Sequence, residues 1–569
     1  MEQTSVRELQ DVVIRFSGDS GDGMQLTGTL FSDTSALMGN GISTFPDYPA
    51  EIRAPQGTVA GVSGFQVHFG NRRELNPGDY CDVLIAMNPA ALKANRKWLK
   101  AGATVILDGD SVTEEHLKRA GFETTDFAAE LKLDEYNLVV PDITSMTREA
   151  LKETGLDNKA VAKCKNMFAL GICFWMFDRP EEHALEYIDK KFLKKNPAVA
   201  QANKLALRAG YDYAANTHQF TNTYRVAPAQ LEKGTYRSVS GNVATAWGLC
   251  AAAEKAHLPL FCGSYPITPA TVILEELAKR KDLGVKTVQA EDEIAGICTA
   301  IGAAYAGNFA VTSTSGPGLS LKSEALGLSV MTELPLVVVD VQRGGPSTGL
   351  PTKTEQSDLQ QALYGRNGEC PVAVVAASSP SDCFHFAFEA GRIAMEHMTP
   401  VILLTDGFIA NGSEPWRIPQ MKDYPEIHPP IVDKAPEGGF MPYVRNEKLA
   451  RGWAFPGKVG LEHRVGGLEK DAVKGSISHD PANHQKMVDL RAAKVAKIAE
   501  DIPVQNVIGD PEGDLLVVGW GGTRGHLQNA VEELRSDGKR ISLCHFNYIN
   551  PLPRGVREIF ARFRRIVVC

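Results

Sequence analysis

The sequence has no Cys-x-x-Cys pair. Its ten cysteines, at positions 81, 164, 173, 250, 262, 298, 370, 383, 544 and 569, are scattered. A structural zinc site or an iron–sulfur cluster built by this chain alone is therefore not expected, and no metal ligands are assigned to it. Several of the cysteines sit among apolar residues, as buried thiols do, which points to a reducing compartment. The chain also lacks an apolar run approaching the ~20 residues that span a bilayer. Met1-Glu2-Gln3-Thr4-Ser5 shows no basic stretch followed by an apolar one, so no signal peptide is expected. A basic excess is missing too. The formal net charge is −8, which argues against a dominant nucleic-acid surface. The run Lys190-Lys191-Phe192-Leu193-Lys194-Lys195 reads as a solvated face. These absences describe a soluble cytoplasmic protein with neither a membrane nor a nucleic-acid partner.

What the chain has is length. Its 569 residues exceed one ordinary domain and suit roughly three or four, each able to bury a core. Residues 11–16 read as a buried strand, 17–23 (SGDSGDG) as a glycine-rich turn and 24–38 as a helix. Strands follow at 81–87 and 104–108, with a helix over 90–99 between them. This alternation predicts a parallel α/β sheet. Helical patterns continue to about 215, closing a first domain of residues 1–215. Residues 216–237 are polar and irregular, as linkers are.

A second α/β unit, residues 238–415, opens with a helix over 241–255. Strands are expected at 258–262, 309–314, 336–341, 371–376 and 400–405. Few polar residues alternate in these runs, the mark of strands covered on both faces; Asp340 is the exception in its strand. Residues 416–505 combine a long Pro- and Gly-rich stretch of little periodicity with a helix over 483–501. Residues 506–569 form a smaller α/β domain. It has strands LLVVGW and ISLCHF, the loop Gly521-Gly522-Thr523, and a last strand at 565–569. The fold class is thus multidomain α/β, with parallel or mixed sheets covered by helices.

One pair of segments is more specific than the rest: Gly263-Ser264-Tyr265-Pro266-Ile267-Thr268-Pro269, followed by Gln289-Ala290-Glu291-Asp292-Glu293. The first is a rigid turn with a hydroxyl at its tip. The second puts an acid at a helix start, which taken alone is ordinary complementation of the helix dipole. Together they resemble the 2-oxoacid:ferredoxin oxidoreductases, enzymes that use thiamine diphosphate. Residues 309–360 extend the resemblance with TSTSGPGLSLKSE and QRGGPSTGLPTKTEQSDL. Gly460-Leu461-Glu462-His463, His479-Asp480 and His484 match the family as well. The spacing of these three histidines is not that of a zinc site.

At the N-terminus, SGDSGDG and the stretch Tyr48-Pro49-Ala50-Glu51-Ile52-Arg53-Ala54 resemble the family's gamma module. The turn here carries Asp19 and Asp22, which would repel a diphosphate. Gly21-Asp22-Gly23 also lacks the downstream asparagine of the motif that holds Mg²⁺ and the thiamine phosphates, and Asp108-Gly109-Asp110 does not fit that motif either.

The resemblance covers nearly the whole chain and implies an alpha subunit with a gamma module fused at its N-terminus. It implies a pyrimidine-type thiamine-diphosphate-binding fold and a C-terminal domain like that of transketolase. Carried over residue by residue, Tyr265, Pro266, Ile267, Thr268 and Glu291 would meet the cofactor. Glu291, Thr268 and Arg343 would be catalytic, and Thr268, Arg343 and Thr352 would hold the substrate. A carboxyl at the aminopyrimidine favours the imino tautomer, which deprotonates the thiazolium carbon. Arg343 follows an apolar strand, where open α/β sheets bind ligands, and its fork suits a carboxylate.

A beta subunit would supply the diphosphate site, Mg²⁺ and a [4Fe-4S] cluster, and ferredoxin would take the electrons. The expected assembly is a dimer of alpha–beta heterodimers. The implied reaction converts 2-oxoglutarate and coenzyme A to succinyl-CoA and carbon dioxide, reversibly, as in a reductive carboxylic acid cycle. Pyruvate or branched 2-oxoacids are the alternative substrates, and a non-catalytic subunit is the alternative role. A NAD-linked enzyme is disfavoured because no strand is followed by a clean GxGxxG.

Overall fold

The computed structural model describes residues 5–49, 54–217, 219–220 and 222–569. It separates into two compact units, Met1–Ser238 with Ser413–Arg417, and Val239–Gly412 with Ile418–Cys569. No helix among the described residues is long and apolar enough to cross a membrane.

The first unit is built on a six-stranded sheet. Its spatial order is Gly41–Asp47, Val62–Gly70, Asp11–Asp19, Cys81–Ala86, Leu99–Leu107, Asn137–Val139. The sheet is mixed rather than parallel as expected, because Val62–Gly70 runs antiparallel to both of its neighbours. Strand Val62–Gly70 escapes a period-2 reading for a physical reason. Gln66 is buried, yet its amide donates to the carbonyls of Pro77 and Gly78 at 2.7 Å each, and it accepts from Arg15 Nη1 at 2.9 Å. A satisfied polar group can thus sit on a covered face.

Helix Lys165–Met176 is apolar nearly all round and lies in the core with Phe31, Phe69 and Phe177. It crosses helix Pro197–Asn216 at glycines on both sides. A methyl on Gly171 would fall 2.0 Å from the Leu207 carbonyl oxygen, and one on Gly210 1.9 Å from that of Phe168. The stretch 216–237, expected as a linker, contains strand Asn222–Val226, which pairs in parallel with Ser5–Leu9.

The turn SGDSGDG ties up its own acids. Asp22 accepts from the Asp19 backbone N–H at 2.9 Å and pairs with Lys165 at 3.2 Å, while Asp19 accepts from Gly57 N–H at 2.9 Å. Asp108 and Asp110 likewise bond the backbone and hydroxyls of Thr144 and Ser145 at the start of helix Ile143–Leu151. Residues 50–53 of the second N-terminal signature lie outside the described residues.

The second unit carries a seven-stranded sheet, in the order Lys286–Gln289, Leu260–Ser264, Phe309–Thr314, Leu336–Gln342, Pro400–Asp406, Ala373–Ala376, Tyr548–Asn550. All pairings are parallel except the last. The central strands are buried end to end, as the apolar runs required. Ile541–Phe546, Gly513–Trp520 and Phe563–Val568 make a small parallel sheet, and Tyr548–Asn550 joins this C-terminal segment to the large one.

Residues 424–480 form no helix. They are fixed instead by buried cations at the carboxyl end of helix Ser323–Thr332. Arg451 Nε donates to the carbonyls of Thr332 and Glu333 at 3.1 and 3.2 Å, and Lys470 Nζ to that of Met331 at 2.9 Å. Cations at a helix C-terminus satisfy its free carbonyls and complement its dipole.

Candidate functional site

Six parallel strands of the second unit's large sheet end along one edge. The chain leaves Leu260–Ser264 toward Lys286–Gln289 on one side, and leaves Phe309–Thr314 toward Leu336–Gln342 on the other. Connections therefore diverge between two adjacent strands, where open α/β sheets hold ligands. Ser264 ties this junction together. Its hydroxyl accepts from Ser313 N–H at 2.8 Å and its carbonyl from Ala290 N–H at 2.9 Å.

The turn after Leu260–Ser264 presents Tyr265 and Thr268 exposed and Pro266 and Ile267 half-buried. Ile267 closes it by accepting from Ala270 and Thr271 N–H at 2.8 and 3.0 Å, and Asn242 donates to the Pro269 carbonyl at 3.0 Å.

Arg343 follows Leu336–Gln342 directly and is buried. Its Nη1 donates to the Thr268 carbonyl at 2.7 Å and its Nη2 to the Thr348 carbonyl at 3.1 Å, while Nε is buried with no partner. The guanidinium thus braces two loops instead of offering an open fork. Burial lowers its pKa, against the pull of Asp358 and Glu293. Thr352 lies half-buried on the loop that returns to Arg343, closed by Gly344 N–H to the Lys353 carbonyl at 2.8 Å. Gly349 in that loop sits at φ 52°, and a methyl there would meet the Gly344 carbonyl oxygen at 2.1 Å.

Three acids follow Lys286–Gln289, and each has a different fate. Glu291 is exposed. Asp292 is the N-cap, accepting from Ala295 N–H at 2.7 Å. Glu293 opens helix Glu293–Tyr305 and is buried. Its side chain turns toward Thr314 and Gly318. A methyl on Gly318 would stand 2.0 Å from Thr314 Oγ1 and 2.8 Å from Glu293 Cγ, so only glycine leaves room there. Lys322 is fully buried and donates to the Glu293 carbonyl at 2.7 Å. Burial brings its amine down to about 8, although Glu293 and Asp292 pull it up.

Other acids at the strand ends escaped sequence reading. Asp340 and Asp358 pack together, both buried, and Asp358 fills the space a side chain on Gly316 would need. Burial raises both carboxyls, and Asp358 raises Asp340 further. Asp406 caps helix Gly407–Asn411 through Phe408 and Ile409 N–H at 2.9 and 3.1 Å, and burial pushes it up to about 6. The sequence signal available for this layer was Asp340, a lone acid inside an apolar strand.

The histidines of the third block do not converge. His463 bonds the Leu461 carbonyl, His484 bonds Glu469 and His479 is exposed.

The profile described as "Pyruvate flavodoxin/ferredoxin oxidoreductase, thiamine diP-bdg" matches residues 252–479 and thus contains these strand ends. A second, "Pyruvate ferredoxin/flavodoxin oxidoreductase", matches residues 13–213. The chain is 52% identical over 563 residues to the 2-oxoglutarate oxidoreductase subunit KorA of Mycobacterium tuberculosis, covering 99% of this chain and 85% of that one. The chain belongs to the 2-oxoacid:ferredoxin oxidoreductase family. Among other members, an alpha subunit of the 2-oxoacid:ferredoxin oxidoreductase of Aeropyrum pernix is 28% identical, over 97% of this chain and 89% of its own. The solved 2-oxoglutarate:ferredoxin oxidoreductase of Magnetococcus marinus, with 2-oxoglutarate, coenzyme A and succinyl-CoA bound, superposes with a TM-score of 0.85. It is 31% identical, covering 98% of this chain and 92% of that one.

Within this family member, the fold brings Thr268, Arg343 and the loop of Thr352 to one strand edge, with Glu293 beside them. The absence of a side chain at Gly318 leaves room for Thr314 Oγ1 and the Glu293 side chain at this edge, within the span matched by the thiamine-diphosphate-binding profile.

Proposed function

We propose that this chain is the alpha subunit of a 2-oxoglutarate:ferredoxin oxidoreductase, active with a beta subunit. The observation that carries this reading is the 52% identity to a 2-oxoglutarate oxidoreductase subunit along essentially the whole chain. The reaction converts 2-oxoglutarate, coenzyme A and oxidised ferredoxin to succinyl-CoA, carbon dioxide and reduced ferredoxin. Pyruvate or branched 2-oxoacids remain the rival substrates, separated by a panel of 2-oxoacids. In the proposed assembly the beta subunit carries Mg²⁺, the diphosphate site and a [4Fe-4S] cluster, and two alpha–beta pairs associate in the cytoplasm. Residues 1–215 act as the gamma module, 238–415 as the pyrimidine domain and 506–569 as the transketolase-like C-terminal domain.

Bound thiamine diphosphate would supply the carbanion that attacks the 2-oxo carbon and the electron sink for decarboxylation. Tyr265, Pro266, Ile267 and Thr268 would hold its pyrimidine side. Of the acids at the helix start, Glu291 is the one to which the family resemblance carries the proton-handling role. Burial beside Thr314 and Arg343 favours Glu293 for that task, with Glu291 left at the rim.

Arg343 would hold the Thr268 and Thr352 loops at the distance the substrate needs. A lysine has one compact ammonium and cannot bridge two carbonyls in a planar fork. Arg343→Lys is expected to raise the KM for 2-oxoglutarate at least about tenfold, equivalent to about 1.4 kcal/mol of lost substrate binding. An unchanged KM removes Arg343 from the site.

A further inference from the structure

We propose that Asp11, His68 and Glu74, on the first unit's sheet, bind one divalent transition ion of the zinc class. The register sets this up. Asp11 pairs across from Gly70, and Val13 from His68. Asp11 and Val13 share a face, as residues two apart on a strand do, and directly opposed residues share a face too. Asp11 and His68 are therefore diagonal neighbours on one side of the sheet. Glu74 returns from the loop after Val62–Gly70 and lays its carboxylate over Gly70. A methyl on Gly70 would come within 2.0 Å of Glu74 Oε1, so the glycine makes the space.

The donor atoms converge. One ligand atom from each residue lies within 4.8 Å of the others, and His68 Nε2 stands 3.3 Å from Glu74 Oε2. That spacing is close to the edge of a tetrahedron with bonds of about 2.0–2.1 Å. His68 Nδ1 is 2.8 Å from the Asn76 carbonyl oxygen. A carbonyl only accepts, so Nδ1 carries the proton and Nε2 faces the carboxylates. This is how metal-binding histidines are oriented by the groups behind them.

Glu74 is 2% exposed, and its Oε1 is buried with no hydrogen-bond donor. A buried carboxylate oxygen without a donor is a costly arrangement that a cation would relieve. One imidazole with two carboxylates suits zinc, manganese or iron and not copper(I).

The competing arrangement is an ion pair with protonated His68, helped by Arg72. Arg72 Nε is 3.7 Å from Glu74 Oε1 and Nη2 4.0 Å from Asp11 Oδ2, both beyond hydrogen-bond range, and its side chain is 66% exposed. A long, mostly solvated side chain can leave without disturbing the core. A bound ion would pin the start of strand Asp11–Asp19 to the loop that follows Val62–Gly70.

The full chain, stripped with a chelator, is titrated with Co²⁺ as a spectroscopic probe for zinc. The expected result is one equivalent with visible d–d bands and no thiolate charge-transfer band, which separates this site from adventitious cysteine binding. Asp11→Asn, at a half-exposed position, and Glu74→Gln should each weaken that equivalent at least about tenfold, as loss of groups at metal sites does. A wild-type chain that takes up no thiolate-free equivalent overturns the proposal. So does an Asp11→Asn chain with wild-type affinity, and that variant decides the matter even if Glu74→Gln fails to fold.

Discussion

Glu293→Gln, assembled with its beta subunit, is expected to lose about 10²–10⁴-fold in turnover, the range associated with removing a general acid–base group. Glu291→Gln should keep most of its activity. Glutamine preserves the shape of the side chain but cannot exchange a proton, so packing against Thr314 and Gly318 should survive and the melting temperature should stay near wild type. The contrast rests on geometry. Glu291 stands exposed before the N-cap, whereas Glu293 is buried at the edge where Thr268 and Arg343 meet. Turnover measured with a low-potential dye and 2-oxoglutarate checks both variants. The reverse pattern, with Glu291→Gln dead and Glu293→Gln active, would return the role to Glu291.

The largest effect on stability is expected far from that site, in Glu333→Gln. Glu333 is buried at the end of helix Ser323–Thr332 and pairs with Lys494, buried as well, and with Arg445, whose side chain is 7% exposed. Burial alone would raise its carboxyl, but Lys494 and Arg445 overrule it and bring it down to about 2. Removing one partner from a buried ionic cluster leaves charge uncompensated, at about 3–5 kcal/mol. Here two cations lose their anion at once, and they belong to the irregular segment (Arg445) and to helix Pro481–Lys497 (Lys494). Urea unfolding followed by fluorescence should show the midpoint falling by that equivalent.

The sign with pH follows from the depressed carboxyl. The native state binds fewer protons than the unfolded one between about 2 and the ordinary value of 4.5. The contribution is therefore full above 4.5 and fades as the pH falls toward 2. A midpoint unchanged by Glu333→Gln at pH 7 would show that the cluster is not what holds residues 424–480.

Where sequence pattern met a single physical cause, it was legible. Helix Gly241–Lys255 and strand Ile541–Phe546 have the bounds expected from the sequence. Val62–Gly70 was not legible, since its buried Gln66 and His68 are satisfied by partners that only the folded chain provides. Nor was strand Asn222–Val226, whose pairing partner lies at the other end of its unit.

At the site, the rigid turn ending in Thr268 and Pro269 and the arginine after an apolar strand could be read directly. Which of Glu291, Asp292 and Glu293 turns inward could not. That depends on where strand Lys286–Gln289 stops and on Asp292 taking the cap, which sets the phase of the helix and so the direction of Glu293. The acids Asp358 and Asp406 were hidden for the same reason, because their burial comes from strands remote in sequence.

The most direct test of the central claim is dye reduction by the chain purified together with its beta subunit, with 2-oxoglutarate, in the presence and absence of coenzyme A. The account predicts coenzyme-A-dependent reduction by the complex and none by this chain alone. No reduction with any 2-oxoacid, from a complex shown to contain thiamine diphosphate and its cluster, would contradict it.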